Sequence, residues 1–496
     1  MTIQVARDLP WQPERARMAV RGRLLLRMRS DAHDPDVPSH ADVHLGAALA
    51  ADRVGADRVD QTIRSFSPAS RVTRAFNAAR NVAHPGRRHV GWDDVEESVG
   101  LSRTFRVEVD PDVSIVNLVS DLAALDRVEM VTPHYLCQAP FAAASTGGDD
   151  GGGDDYARAM IGAAQALAEE GGDSALIVAV IDSGVALDHP EFTDRLRPGV
   201  DTVDLPAEQV SRGLKLFGDY RGRDRRPMDE MGHGTACASI IGARGHAMPR
   251  GLAAAARVLP MRALAGAMLS EVDEPTAVGG IPDIDLALKT AVDLGARVLN
   301  LSFGTPETAL RPDDPVPHVE VIRYALARNC VLVAASGNSG DRTKYFPAAL
   351  PGVLVVGAVG PAGHPARFTT RGPDVALCAP GERIPVAGLT GYERQSGTSF
   401  AAPFVTGACA LLLARAARYS SPLSAFGVRT LLMRSARPFP AGADAAGCGA
   451  GILDVPGALR AADELLSRDD TADGFEDDLI DAAEDPASRT MAHQSR

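Results

Sequence analysis

Four stretches of this chain read as apolar strands: 175–181, 330–335 and 353–359 without a polar residue, and 298–302 with only Asn300 and Ser302. Each has strand length and lacks the alternation of a sheet with one wet face. Helical patterns at 283–294 and 318–327 lie between them. Unbroken apolar strands separated by helices predict a mostly parallel sheet covered on both faces, an α/β architecture. The most apolar run, 400–414, predicts a buried helix. At its head stands Gly397-Thr398-Ser399-Phe400-Ala401-Ala402-Pro403. Gly397 allows a tight turn, and the small residues after it allow close packing.

Before residue 156 the pattern is different. Residues 1–18 read as an irregular lead-in. Residues 20–29 read as a strand in which Leu24, Leu26 and Met28 alternate with arginines, and 104–109 as a second. Asp110 and Pro111 are suited to opening a helix, with Ile115, Leu118, Val119, Leu122 and Leu125 on its apolar face. A short strand follows at 128–131. The polar span 30–100 shows one helical pattern, near 40–51. This predicts a small α+β domain over 19–140. A glycine- and aspartate-rich stretch, 141–155, reads as a flexible linker open to proteolysis. Residues 156–462 form the larger α/β domain, and 463–496 an acidic, disordered tail.

Composition narrows the function classes. Hydrophobic content of 45% and charged content of 23% suit a globular chain. A net charge of −13 argues against a nucleic-acid partner. Much of that charge sits in 463–485, where acids outnumber the single base Arg468. No run reads as a membrane span. Residues 1–30 carry no sustained apolar core, so no export signal is expected and a cytoplasmic location is. The six cysteines are scattered, with no CxxC pair. They are expected to be buried and reduced, with neither disulfides nor a metal site.

Three polar residues fall where such an architecture exposes them. Asp182 ends the first apolar strand. His233 lies in Gly232-His233-Gly234-Thr235, where glycine gives way to a helix of small residues. Ser399 heads the apolar helix. Alone, each reads more readily as a cap or a turn former. Together they supply what nucleophilic catalysis needs. The serine requires a neighbouring base, histidine titrates near neutrality, and a buried carboxylate fixes the imidazole. Asn338, after a further apolar strand, offers an amide donor to an oxyanion, with the Ser399 N–H as a second.

These residues resemble the subtilisin-like serine proteases, over 156 to about 459. Val-Ile-Asp-Ser-Gly, Gly-His-Gly-Thr, Ser-Gly-Asn and Gly-Thr-Ser-Phe-Ala-Ala-Pro occur in the family's order. The resemblance implies a subtilisin-like three-layer fold and a serine endopeptidase. Asp182 would orient, His233 act as base and acid, Ser399 attack and Asn338 hold the oxyanion. Leu301, Ser302, Phe303 and Gly304 would pair with an extended peptide or protein substrate. With Ala335, Ser336 and Gly337 they would flank the pocket for the residue before the scissile bond, and Tyr345 would help close it. Cys237 resembles a free cysteine of the proteinase K branch, where thiol reagents crowd the histidine; an inert buried cysteine is the other reading. His189-Pro190 resembles a structural turn, so His189 is expected to be non-catalytic. The N-terminal domain resembles an inhibitory propeptide, cut near 137–155, although 30–100 departs from that pattern.

No cofactor is required. The stretch 242–249 lacks the paired acids of a family calcium loop, so structural calcium is not expected there, although the sequence leaves it open elsewhere. Asp188 and Glu191 are read as surface carboxylates, and 221–226 as a solvated basic loop. A silent subtilase-fold peptide binder is disfavoured, because a binding module has no need of the full Asp–His–Ser–Asn set. An α/β-hydrolase esterase is disfavoured because there the serine precedes its partners on a Gly-x-Ser-x-Gly elbow.

Overall fold

The apolar runs pair with one another as parallel strands. The computed structural model describes residues 18–29, 35–139, 155–210, 214–222, 226–253, 255–269, 274–310 and 314–467. The expected linker lies almost wholly outside the described residues, and so does the acidic tail from 468 on.

Up to residue 139 the elements are β1 (Met18–Met28), α1 (His40–His44), α2 (Asp57–Phe66), β2 (Arg71–Arg74), α3 (Asp94–Ser98), β3 (Thr104–Glu108), α4 (Ile115–Ala123) and β4 (Val128–Gln138). The strands lie in the order β2-β3-β1-β4, all antiparallel. Ile115, Leu118, Val119 and Leu122 of α4 pack on one face with Leu24, Leu26 and Phe105. Three local expectations change. The helix near 40–51 ends at His44, because Gly46 takes the left-handed φ of 72° and turns the chain. Ser114, not Asp110, caps α4, while Asp110 closes a turn through the Asp112 N–H. The strand expected at 128–131 runs on to Gln138, because its second half finds partners outside this region.

Those partners belong to the region that follows. It contains α5 (Tyr156–Met160), α6 (Ala163–Glu169), β5 (Ile177–Asp182), β6 (Val200–Asp201), β7 (Leu214–Phe217), α7 (His233–Gly242), β8 (Arg257–Arg262), β9 (Ala265–Leu269), β10 (Glu274–Gly280), α8 (Ile281–Asp293), β11 (Val298–Leu301) and β12 (Thr305–Pro306). After these come α9 (Val319–Ala327), β13 (Val331–Ala335), β14 (Tyr345–Phe346), β15 (Leu354–Val359), β16 (Val375–Pro380), β17 (Ile384–Ala387), β18 (Tyr392–Gln395), α10 (Thr398–Arg418), α11 (Ala425–Ser435) and α12 (Val455–Leu466).

The central sheet has the order β16-β15-β13-β11-β5-β8-β6, and every pairing in it is parallel. Helices α7 and α10 pack on one face and α8 and α9 on the other. Among the described residues α10 alone is long and apolar enough to cross a membrane. Of its most apolar window 89% is buried in the fold, so it serves here as the central core helix. Helix α12 continues past the expected boundary at 462, and Asp463 pairs with Arg415 (2.7 Å) rather than belonging to the acidic tail. A second sheet crosses between the two regions in the order β2-β3-β1-β4-β10-β9-β7.

Candidate active site

The central sheet delivers its polar residues at the carboxyl ends of its strands, as open parallel sheets do. Asp182 is the last residue of β5 and is fully buried. Its Oδ1 accepts from the Ser183 N–H (2.7 Å) and stands 2.8 Å from His233 Nδ1. His233 opens α7 after Gly232, which sits at φ 88°. Gly234 allows this approach: a Cβ there would lie 2.2 Å from the Gly184 carbonyl oxygen. Burial opposes the imidazolium, but the charge of Asp182 and its hydrogen bond outweigh that, helped by Asp229. The His233 pKa is therefore raised above its ordinary value.

Ser399 is the second residue of α10 and is buried beside this pair. The His233 ring lies 5.6 Å from the ring of Phe400, its next neighbour. His233 Nε2 and Ser399 Oγ are both buried without a hydrogen-bond partner. The Ser399 carbonyl is held from below by the Ser302 hydroxyl (3.1 Å) and the Cys237 thiol (3.3 Å). Ser302 is in turn bound by the Asn300 amide, whose oxygen accepts from Thr406 of α10. Cys237 thus fits the inert reading. Burial, with Asp182 nearby, pushes its pKa well up and keeps it a protonated donor.

Asn338 follows β13. Its Oδ1 accepts from the Thr398 N–H (2.9 Å) and hydroxyl (2.8 Å), which fixes the amide at the N-terminus of α10. Its Nδ2 faces Gly397, where a Cβ would come within 3.3 Å. Leu301 and Phe303 turn their side chains into the core, so this segment offers only backbone outward. Gly304 uses that backbone, donating to the Gln138 carbonyl in an antiparallel bridge (3.4 Å). Ala335 ends β13, and the Ser336 N–H is taken by Val356. Gly337, at φ 108°, faces the half-buried Tyr345 ring of β14, which a Cβ would reach at 2.6 Å.

Asp229 has a place that the sequence reading missed. Its Oδ1 accepts from the Ser183 hydroxyl and the N–H groups of Met231 and Gly232. Its Oδ2 accepts from the Thr235 N–H and hydroxyl. It therefore ties the Asp182 turn to the His233 turn. The available signal was an aspartate four residues before the histidine, just ahead of a helix start.

Other expectations resolve more simply. His189 Nδ1 accepts the Glu191 N–H (3.2 Å) and its Nε2 lies 3.2 Å from the Gly391 carbonyl, a structural role. Asp188 is exposed, whereas Glu191 is buried, contrary to expectation. Its carboxylate gathers the N–H groups of Gly245, His246 and Ala247 and the Tyr392 hydroxyl. Those bonds overcome burial and lower its pKa. The loop after α7 is thus closed by a carboxylate. Of the basic loop, 223–225 lie outside the described residues, and Arg221 pairs with Asp204. All six cysteines are free and buried.

The β4 strand also reaches this site. Val278, Gly279 and Gly280 of β10 pair with Gln138, Cys137 and Leu136. The Ala139 N–H then bonds to the Ala277 carbonyl (2.9 Å). The end of β4 is thus inserted between β10 and Gly304, antiparallel to both.

Fold and site together define a doubly wound α/β protein with a buried Asp–His pair beside a serine at a helix N-terminus. The sequence model described as "Subtilase family" matches residues 173–458, more than half of the chain. The chain belongs to that family. It is 35% identical over 247 residues to the thermophilic serine proteinase of Bacillus sp. (strain AK1), covering 49% of this chain and 53% of that one. It thus spans about half the length of that relative. It is 30% identical over 292 residues to the major intracellular serine protease of Bacillus subtilis (strain 168), covering 57% of this chain and 82% of the relative. Among solved structures, a protease of Pseudoalteromonas arctica matches with a TM-score of 0.51 at 24% identity, covering 61% of this chain and 94% of that one. That likeness supports the fold alone.

Proposed function

We propose that this chain is a serine endopeptidase. The observation that carries the reading is the 2.8 Å Asp182–His233 pair beside the unpartnered Ser399 hydroxyl. Ser399 Oγ attacks the scissile carbonyl as His233 Nε2 takes its proton, and Asp182 stabilises the imidazolium. The oxyanion is met by Asn338 Nδ2 and the Ser399 N–H, near the positive end of α10. The substrate backbone adds as a strand between β10 and Gly304, with its next residue in a pocket flanked by Leu301–Gly304 and Ala335–Gly337, which Tyr345 helps to close.

The same reading makes the N-terminal region an inhibitor, because Cys137, Gln138 and Ala139 occupy that strand position. Self-cleavage is expected between residues 139 and 155. The test is intact mass after treatment with a serine-directed fluorophosphonate. One adduct, on Ser399, on a chain lacking the N-terminal region, is the expected result. No adduct on the full chain or on one begun near Asp155 and shown to be folded would sink it.

Two further outcomes follow. Asn338→Ala should lower turnover by ~10²–10³-fold, a figure carried over from the matching asparagine of subtilisin. Turnover within about twofold of the parent would remove Asn338 from the oxyanion site. Activity also needs neutral His233, whose pKa is raised. It should therefore be lost as pH falls through a midpoint above the ordinary ~6.5. A kcat/KM profile with its acid limb below that value would contradict the pairing with Asp182.

A further inference from the structure

Two histidines and one carboxylate converge across the interface between the N-terminal region and the rest of the chain, in a cluster distinct from the triad. His40 opens α1 and His44 closes it, four positions apart, so both leave one face of the helix. Their ring centroids lie 5.7 Å apart, with 28° between the planes. Facing them is Asp204, between β6 and β7. His40 Nε2 is 3.6 Å from Asp204 Oδ2, and His44 Nδ1 is 4.0 Å from Asp204 Oδ1. The donor atoms of the three residues all lie within 4.8 Å of one another. His40 is 8% exposed and Asp204 3%. His40 Nε2 is buried without a hydrogen-bond partner, and Asp204 Oδ1 meets Arg221 in an ion pair that lacks hydrogen-bond geometry.

Buried polar atoms normally find partners, so the unpartnered His40 nitrogen beside a second imidazole and a carboxylate calls for one. Two imidazole nitrogens and a carboxylate oxygen suit a zinc-class ion, which takes nitrogen and oxygen at roughly 2.0–2.2 Å. Calcium and magnesium prefer all-oxygen shells. Closing onto such an ion needs donor shifts of roughly an ångström. The surroundings bear on this in both directions. Arg23 holds Asp204 Oδ2 at 2.9 Å, which orients the carboxylate as an outer partner does. Arg221 reaches Oδ1 at 3.2 Å in an ion pair from a part-exposed position, and it would have to swing outward. The charge of Arg106 is balanced by its own pair with Asp283.

We infer that His40, His44 and Asp204 form a site for a zinc-class divalent cation that fastens the N-terminal region to the region carrying the triad. Two donors come from one side of the interface and one from the other, leaving a coordination position for water. The complete site exists only while the two regions are docked. Metal binding therefore stabilises the docked arrangement by mass action. The inference rests on the interface alone and does not depend on Ser399 acting as a nucleophile.

The experiment uses the full chain with Ser399→Ala, stripped with a chelator and titrated with Zn²⁺ by calorimetry and with Co²⁺ by absorption. One bound equivalent is expected, with a rise in the unfolding midpoint. The cobalt spectrum should lack the sulfur-to-metal band that Cys237 would give. Adding His44→Gln should weaken binding by about tenfold or more and abolish the rise in midpoint. Asp204→Asn, which keeps the side-chain shape, should do the same and covers a misfolded His44→Gln. No binding by the parent, or equal affinity in both variants, overturns the site. A thiolate band would place the ion on Asp182, His233 and Cys237 instead and overturns it equally.

Discussion

Ser399→Ala is expected to lower peptide hydrolysis by ~10⁴-fold or more and to leave the fold unchanged. The hydroxyl can be removed at little structural cost, because Oγ makes no hydrogen bond in the resting site. What positions the residue is its backbone, and alanine keeps that. Ser302 and Cys237 still hold the carbonyl, and Asn338 still holds Thr398. The remaining donors would retain some rate enhancement over water, since binding and oxyanion stabilisation survive loss of the nucleophile. Two measurements check this together: kcat/KM on a peptide substrate, and intact mass of the purified chain. The variant should keep its N-terminal region attached, with an unfolding midpoint equal to that of an uncut parent. Ordinary turnover by the variant would sink the assignment of Ser399.

Four strands of the parallel sheet, β5, β11, β13 and β15, were legible because they are buried on both faces and read as apolar runs, whereas β6, β8 and β16 were not read. The Asp182–His233 pair and Ser399 were legible because their motifs sit at strand ends and helix starts. The crossing sheet was not. Strands β9 and β10 are rich in alanine and glycine, as in Ala265-Gly266-Ala267 and Ala277-Val278-Gly279-Gly280, and have no strong alternation. β10 pairs with β4, far away in sequence, and local pattern does not encode such a pairing.

Buried charge was the second blind spot. A pattern reading sends charged residues to solvent, yet Glu191, Glu96 and Lys289 are fully buried. Each is satisfied by partners that only the fold brings together, as when Lys289 meets Glu96 (2.6 Å) and Asp293 (2.7 Å). The polar span 30–100, unreadable as a core, contributes Asp93 and Glu96 to the interface, paired with Arg328 and Lys289.

That interface yields the second large effect. In the Ser399→Ala chain, Arg106→Leu should destabilise the docked structure by ~3–5 kcal/mol, the usual result of breaking one side of a buried ion pair. Arg106 lies on β3 and is 5% exposed. It pairs with Asp283 in the first turn of α8 and also donates to the Pro282 carbonyl (2.7 Å). Asp283 is fully buried, and its other oxygen takes the Asp204 N–H (3.2 Å). Burial raises the Asp283 pKa, and Arg106 opposes that rise. Without the guanidinium a buried carboxylate is left to face leucine. It must then take a proton, admit water or let the two regions part. Replacing both partners, Arg106→Leu with Asp283→Asn, removes the stranded charge. The double variant should therefore be more stable than the sum of the two single losses implies. Denaturant unfolding of the four chains measures that coupling. Strict additivity would mean that the pair contributes nothing to docking, which would then rest on the crossing sheet and the remaining ion pairs.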